Sequence, residues 1–399
     1  MNNKNAINVY SEIGKLRTVL LHRPGEELSN LTPDLLERLL FDDTPDLFVA
    51  QTEHDQFAEI LTSNGVEVLY IEKLAAETIA LDEKLRTNLI NQFLKESGCK
   101  PQYLNKLQQY LNPLNHQQLI DKMIAGVTKF ELEIHDNDKY PLIVDPLPNL
   151  LFQRDPFASI GNGATINHMF SETRRRETLF IDLVLNHHLR FKDQVNFWYN
   201  RSEKDCVEGG DILVLNDKHV IMGVSQRTTM NAIKKCATRL INDGSNQFEK
   251  VIVLDLKTKN RAFIHLDTVF TNIDYDKFIA HALIFETNDQ FKIWEITKNG
   301  NQEIKETLND YLSTIIGKPV TFIKCGGEDP IDQAREQWND GNNVLTIAPG
   351  VVIAYGRNHI TVEKLKEQGI KVYQIASAEL SRGRGGPRFM SMPIIRENI

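Results

Sequence analysis

Three stretches of the chain gather side chains that could handle protons or hold a cation. Asp155 follows Phe152-Gln153-Arg154 and precedes Pro156. Glu208 and Asp211 flank Gly209-Gly210, and His265 stands two residues before Asp267. Glycines beside a carboxylate permit close approach of backbone or ligand. On a strand, His265 and Asp267 would share a face, because strand side chains alternate. Each signal also has an ordinary reading. An Asp before Pro serves in turns, a Glu-Gly-Gly-Asp run in bulges, and a His-x-Asp pair in structural hydrogen bonding. Brought to one place, the set would suit a planar cation such as a guanidinium, since carboxylates accept paired hydrogen bonds from that group. Zn or Mn on Asp155, Glu208, His265 and Asp267 is the rival chemistry. One His and no HxH or HxxxH spacing rank a metal site below the guanidinium, and no cofactor is expected.

Convergence requires a scaffold, and the sequence repeats one. Val344–Ala348, the turn Pro349-Gly350 and Val351–Tyr355 read as a hairpin. A helix from Thr361 to Gln368, stopped at Gly369, and a strand at Ile370–Ile375 follow. Asp211–Leu215, His219–Val224, the helix Thr229–Ile241 and Val251–Leu256 repeat that order. So do Ala158–Ile160, Ala164–Asn167, a helix from about Arg174, and Val195–Tyr199. A fourth copy runs from a strand at His265–Ile273 through Lys277–Ile284, a helix near Ile304–Ile315 and Val320–Lys324. A looser fifth has Leu16–His22, a helix near Thr52–Leu61 and Val66–Ile71. Five strand-hairpin–helix–strand units predict an α/β fold, either a pseudo-symmetric five-bladed propeller of ββαβ units or an open sheet with irregular repeats. Leu and Ile at helical spacing between 73 and 130 predict an inserted helical subdomain. The propeller would then occupy 1–72 and 131–399.

The chain has 399 residues, of which 41% are hydrophobic, 25% are charged and 4 are Cys. That is too apolar for disorder and too poor in Cys for a disulfide scaffold. Lys plus Arg number 46 and Asp plus Glu 54, a net charge of −8. The acidic balance argues against nucleic acid, which needs a basic footprint. No stretch reads as a membrane span or secretion signal, and scattered Cys without CxxC spacing fit a reducing compartment. A cytoplasmic location without membrane partners is the expectation.

Longer motifs sharpen the reading. The chain carries Val9-Tyr10-Ser11-Glu12-Ile13-Gly14-Lys15-Leu16, Leu35-Leu36-Glu37-Arg38-Leu39-Leu40-Phe41-Asp42-Asp43 and Arg335-Glu336-Gln337-Trp338-Asn339-Asp340-Gly341. It ends with Arg382-Gly383-Arg384-Gly385-Gly386-Pro387-Arg388-Phe389-Met390-Ser391-Met392-Pro393. Nearly end to end, it resembles the arginine deiminases of the guanidino-group-modifying superfamily. The resemblance implies a five-bladed propeller with a helical insertion, and metal-free hydrolysis of L-arginine to citrulline and ammonia. It assigns guanidinium binding to Asp155 and Asp267, support of guanidinium and His to Glu208, and acid/base work to His265. Arg174 and Arg227 match positions that hold the substrate carboxylate. Asn149, Phe152, Gly383 and Arg384 match further pocket positions.

The resemblance breaks at Phe389. The family reads Arg-Cys-Met-Ser-Met-Pro there, and its Cys attacks the guanidinium carbon. A phenyl ring has no lone pair to donate, and the mechanism needs a thiolate. Cys206, two residues before Glu208, is the substitute thiol to consider, although it enters from another unit. A lesser departure is Gln153, where the family usually has Thr. The expectation is an inactive or severely impaired relative that retains a guanidino ligand, with a homo-oligomer or an active paralogue as conceivable partner. The alternative is a functional arginine deiminase whose nucleophile was replaced.

Overall fold

Leu345–Ala348 and Val351–Tyr355 pair antiparallel, with Leu345 opposite Ile353. They are joined at Pro349-Gly350, where Gly350 has φ +69°. An L side chain is strained at that φ, which is why the turn uses glycine. The helix His359–Glu367 then carries the chain to Lys371–Ile375, parallel to the second hairpin strand. Alternating apolar residues build the strands, and the helix turns Val362 and Leu365 onto the same buried cluster.

The structure, a computed structural model, describes residues 6–256, 263–282, 284 and 291–399. The opening Met1–Asn5 therefore lies outside the described residues. Five sheets repeat one plan: an antiparallel pair, then a strand parallel to the middle one. Phe157–Ile160, Gly163–Ile166 and Asn196–Tyr199 form one sheet. Ile212–Val214, His219–Val224 and Lys250–Leu256 begin a second. Phe270–Asn272, Lys277–Ala280 and Thr321–Lys324 form a third, and the hairpin described first is part of the fourth. In the fifth, the last strand Met392–Arg396 lies antiparallel to Leu16–Leu21, which lies parallel to Glu67–Tyr70. The two chain ends thus share a sheet, which anchors Phe389 three residues before its strand. No closed sheet occurs among the described residues.

The fourth sequence unit needs correction. His265 and Asp267 are not on a strand. Leu266–Thr268 is a 3₁₀ turn in which the Thr268 N–H and hydroxyl both donate to the His265 carbonyl, at 3.2 and 2.6 Å. Local bonds replace the ladder, and the strand begins at Phe270. The second strand stops at Ala280 rather than Ile284, and residue 283 lies outside the described residues. Ile304 does not open the helix, which runs Leu308–Ile316 behind a Thr307 cap. Instead, Phe291–Thr297 and Gly300–Ile304 form an unforeseen hairpin added to the second sheet beside Lys250–Leu256.

Helices Ile71–Ile79, Glu83–Glu96, Leu104–Leu111 and His116–Ala125 fill the stretch read as helical. Leu89, Ile90, Phe93, Leu107, Leu119 and Met123 bury them in the large cluster shared with Phe157 and Phe180. No described helix is long and apolar enough to cross a membrane.

Candidate active site

Asp155 is set by its own loop. Its carbonyl accepts from Gly209 N at 3.2 Å and Asn167 Nδ2 at 2.6 Å. Gly209 is required there, because a Cβ would stand 2.0 Å from the Arg154 carbonyl oxygen. A Cβ on Gly210 would stand 2.7 Å from the His265 ring. The glycine pair is therefore a close-packing device, folded as the 3₁₀ turn Gly209–Asp211, and not a bulge. It brings three loops together with Asp155, Glu208 and His265 all buried.

His265 Nε2 lies 2.7 Å from Glu208 Oε2, and its Nδ1 faces Asp155 Oδ1 at 3.9 Å. Behind the histidine, Asp211 Oδ1 accepts from Leu266 N at 2.8 Å, and its Oδ2 accepts from the Ser225 hydroxyl at 2.6 Å. Arg174 donates to Asp155 Oδ2 at 2.8 Å, to Glu177 through Nε and Nη2, and to the Asn149 carbonyl at 3.3 Å. Arg227 Nη1 is 3.8 Å from Glu208, with its guanidinium over Phe170. Arg388 pairs with Asp267 Oδ2 and reaches Glu12 at 3.1 Å. Among the described residues, six buried polar atoms in this set lack a hydrogen-bond partner: Asp155 Oδ1, Asp267 Oδ1, His265 Nδ1, Arg388 Nε, and Nε and Nη1 of Arg227.

A cavity of about 330 Å³ opens on this set. Asn149, Phe152, Asp155, Arg174, Arg227, His265, Gly383, Arg384 and Phe389 line it. Glu208 and Asp267 stand behind the lining, holding His265 and Arg388. Glu37, Leu40, Gln226 and Ile264 line it unforeseen; Glu37 and Leu40 sit inside a motif quoted above. Asp211 was legible as a carboxylate beside the glycine pair and Arg388 as part of the C-terminal motif, but their partners Leu266, Glu12 and Asp267 are distant in the chain. Arg384, at φ +62°, lays its guanidinium 3.5 Å from the Trp338 ring centre.

Phe389 is 3% exposed and forms part of the wall. Its ring stands edge to face with His265 at 5.2 Å and with Phe152 at 6.1 Å. Its N–H donates to Asn343 Oδ1 at 2.9 Å, and its carbonyl accepts from Arg154 N at 3.0 Å. Neither Cys206 nor another cysteine lines the cavity. Burial and the Glu208 charge push the Cys206 thiol up, away from thiolate.

Burial alone would depress the His265 pKa. Asp155, the Glu208 hydrogen bond and Asp211 outweigh it and raise the value to about 9. Burial lifts Asp267 to about 7 against the pull of Arg388, and lifts Glu177 to about 7 against Arg174. Burial would raise Glu208, but Arg227 and His265 hold it well below the usual carboxylate range. Asp155, Glu208 and His265 could each offer a ligand atom within 4.8 Å of the others. Two guanidinium groups already face these carboxylates, and a protonated imidazole is no ligand.

The same shifts set the pH dependence of stability. A raised histidine pKa stabilises fully below about 6.5 and loses that contribution as pH rises towards the folded value. A raised carboxyl pKa also costs stability as pH rises, here from about 4 to 7. His22 adds to the trend. Burial opposes its charge, but Glu72 and Glu27 raise it to about 10. The thermal midpoint should be highest near pH 4–5 and fall by roughly 5–10 °C by pH 9.5. Scanning calorimetry across that range checks it; a flat or rising midpoint would refute the signs.

The arginine deiminase family model matches residues 37–396. Arginine deiminase from Mycoplasma capricolum is 57% identical over 395 residues, covering 98% of both chains. Arginine deiminase from Clostridium perfringens is 48% identical, covering 100% of both. Among solved structures, an amidinotransferase of saxitoxin biosynthesis from Microseira wollei aligns with TM-score 0.59 at 13% identity, covering 99% of this chain and 98% of that one. A mutant dimethylarginine dimethylaminohydrolase from Pseudomonas aeruginosa, complexed with citrulline, aligns with TM-score 0.54 at 16% identity, covering 95% and 99%. These two share the mixed α/β fold.

Proposed function

The chain belongs to the arginine deiminase family, and from that premise we propose that it binds L-arginine or a close guanidino relative without hydrolysing it. The observation that carries this reading is the set of unpartnered buried atoms. Two carboxylate oxygens match the donors of a guanidinium: that of Asp155 lines the cavity, and that of Asp267 stands just behind its wall. Nε and Nη1 of Arg227 match the acceptors of an α-carboxylate. Arg174 holds Asp155 and Glu177 in place and, by that engagement, acts as a positioning group. Arrival of a cation favours the ionised form of Asp267, which burial disfavours. His265, held by Glu208, keeps Nδ1 for a proton. No cysteine lines this wall, and Phe389 stands where the family chemistry needs one. The ring offers an aromatic surface to the cation instead.

The same reading gathers the five sheets into a five-bladed propeller formed by 1–72 and 131–399, with 73–130 inserted. Equivalent sheet ends then face one mouth. It also leaves the site without a metal, because Arg174 and Arg227 already balance its carboxylates.

Titration calorimetry tests the binding. L-Arginine should bind saturably. L-Ornithine, which keeps the amino acid end but lacks the guanidinium, should bind at least about tenfold more weakly, the equivalent of 1.4 kcal/mol. Equal affinity, or no heat from arginine at millimolar concentration, would remove the guanidinium reading.

A further inference from the structure

Arg175 and Arg176 follow Arg174 in sequence but line a different cavity, of about 430 Å³, which shares no lining residue with the first. Arg201 lines it as well. The three arginines differ in how their charge is met. Arg201 is held by Glu96 through two hydrogen bonds, at 3.0 and 2.6 Å, which consumes that carboxylate. Arg175 reaches Glu172 at only 3.4 Å, and the Glu172 side chain is 86% exposed. Such a solvated contact is worth little and is readily exchanged.

Arg176 is the anomaly. It is 5% exposed, donates through Nη2 to the Asp145 carbonyl at 2.9 Å, and lies over the Phe93 ring at 5.7 Å. Its Nη1 is buried without a hydrogen-bond partner, and among the described residues no carboxylate lies within ion-pair distance of it. Burial pushes its pKa down to about 10, so it stays charged at neutral pH. Asp145, Glu177 and Glu96 act on its charge only from beyond ion-pair distance, and burial outweighs them. A buried guanidinium touched by one carbonyl and one ring still has a free donor, which an anion would engage. Arg174, in the first cavity, shows the contrast, with carboxylates of Asp155 and Glu177 upon it.

We infer that this second cavity binds a small phosphate-bearing anion, gripped by Arg176 and Arg175. A tetrahedral dianion can accept from two guanidinium planes at once and balances two charges, which a single carboxylate does not. The volume exceeds that of a bare phosphate, so the ligand is either the free ion or a small phosphate monoester.

The test titrates the full chain with inorganic phosphate and with glycerol 3-phosphate at constant ionic strength, followed by ³¹P NMR and calorimetry. Saturable binding is expected, weakened at least tenfold in Arg175→Gln and in Arg176→Lys. The first variant alters a half-exposed side chain and decides the matter if the second does not fold. Binding of both ligands assigns an organic phosphate, and binding of inorganic phosphate alone assigns the free ion. Absence of saturable binding by either ligand, or unchanged affinity in Arg175→Gln, overturns the inference.

Discussion

Replacing Phe389 by cysteine should switch citrulline production on, by about 10⁴-fold or more over the unaltered chain. Removing a covalent nucleophile costs on the order of 10⁶ in a hydrolase where it has been measured. Restoring one into a site shaped by a phenyl ring should recover much of that. The backbone is ready for it. Residue 389 is pinned by its N–H on Asn343 and its carbonyl on Arg154 N, and neither bond involves the side chain. The new thiol would stand beside the imidazole that now meets the ring edge at 5.2 Å. With the His265 pKa raised to about 9, that imidazole is positively charged at neutral pH. A neighbouring imidazolium lowers a thiol pKa towards the reactive thiolate. The exchange has a cost. Phe389 belongs to a buried cluster with Phe41, Phe152 and Met390. Truncating a buried Phe destabilises by about 3–5 kcal/mol, so the variant should melt earlier. Citrulline assays and thermal melts of both proteins measure the two effects separately.

In that cysteine variant, Glu208→Gln should lower turnover by about 10²–10⁴-fold, the usual worth of general acid–base work. Glu208 takes His265 Nε2 at 2.7 Å and Phe170 N at 3.1 Å, and it faces the guanidinium groups of Arg174 and Arg227. An amide keeps the volume and removes the charge. His265 then loses one of the groups that raise its pKa against burial, so its pKa falls. The basic limb of the pH–rate profile should move to lower pH by a unit or more, roughly 1.4 kcal/mol per unit. A merely structural Glu208 would lower the rate without moving that limb. An unmoved limb at reduced rate would therefore reject the acid–base role while leaving the binding site intact.

Much of this was legible before any fold was known. The Pro349-Gly350 turn and its flanking alternation identified a hairpin correctly, because strand period and turn chemistry are local properties. Glu208-Gly-Gly-Asp drew notice for its glycines, and those glycines bring Asp155 and His265 together. Other features depend on distance in the chain. His265-Leu-Asp267 alternates like a strand, yet hydrogen bonds to the His265 carbonyl and to Asp211 fold it into a turn. The hairpin of Phe291–Thr297 and Gly300–Ile304 has alternation and a tight Lys298-Asn299 turn, but it lies outside the repeated strand-hairpin–helix–strand order. Arg174 and Arg227 look alike as sequence; only packing reveals that one is engaged with carboxylates and the other keeps two unpartnered nitrogens.

The central claim is that the unaltered chain holds arginine and leaves it whole. Equilibrium dialysis against ¹³C-guanidino-labelled L-arginine, with the protein in excess and the label read by NMR, addresses retention and chemical fate together. The account predicts that label concentrates with the protein and is recovered entirely as arginine. Label recovered as citrulline, or label evenly distributed across the membrane, would contradict it.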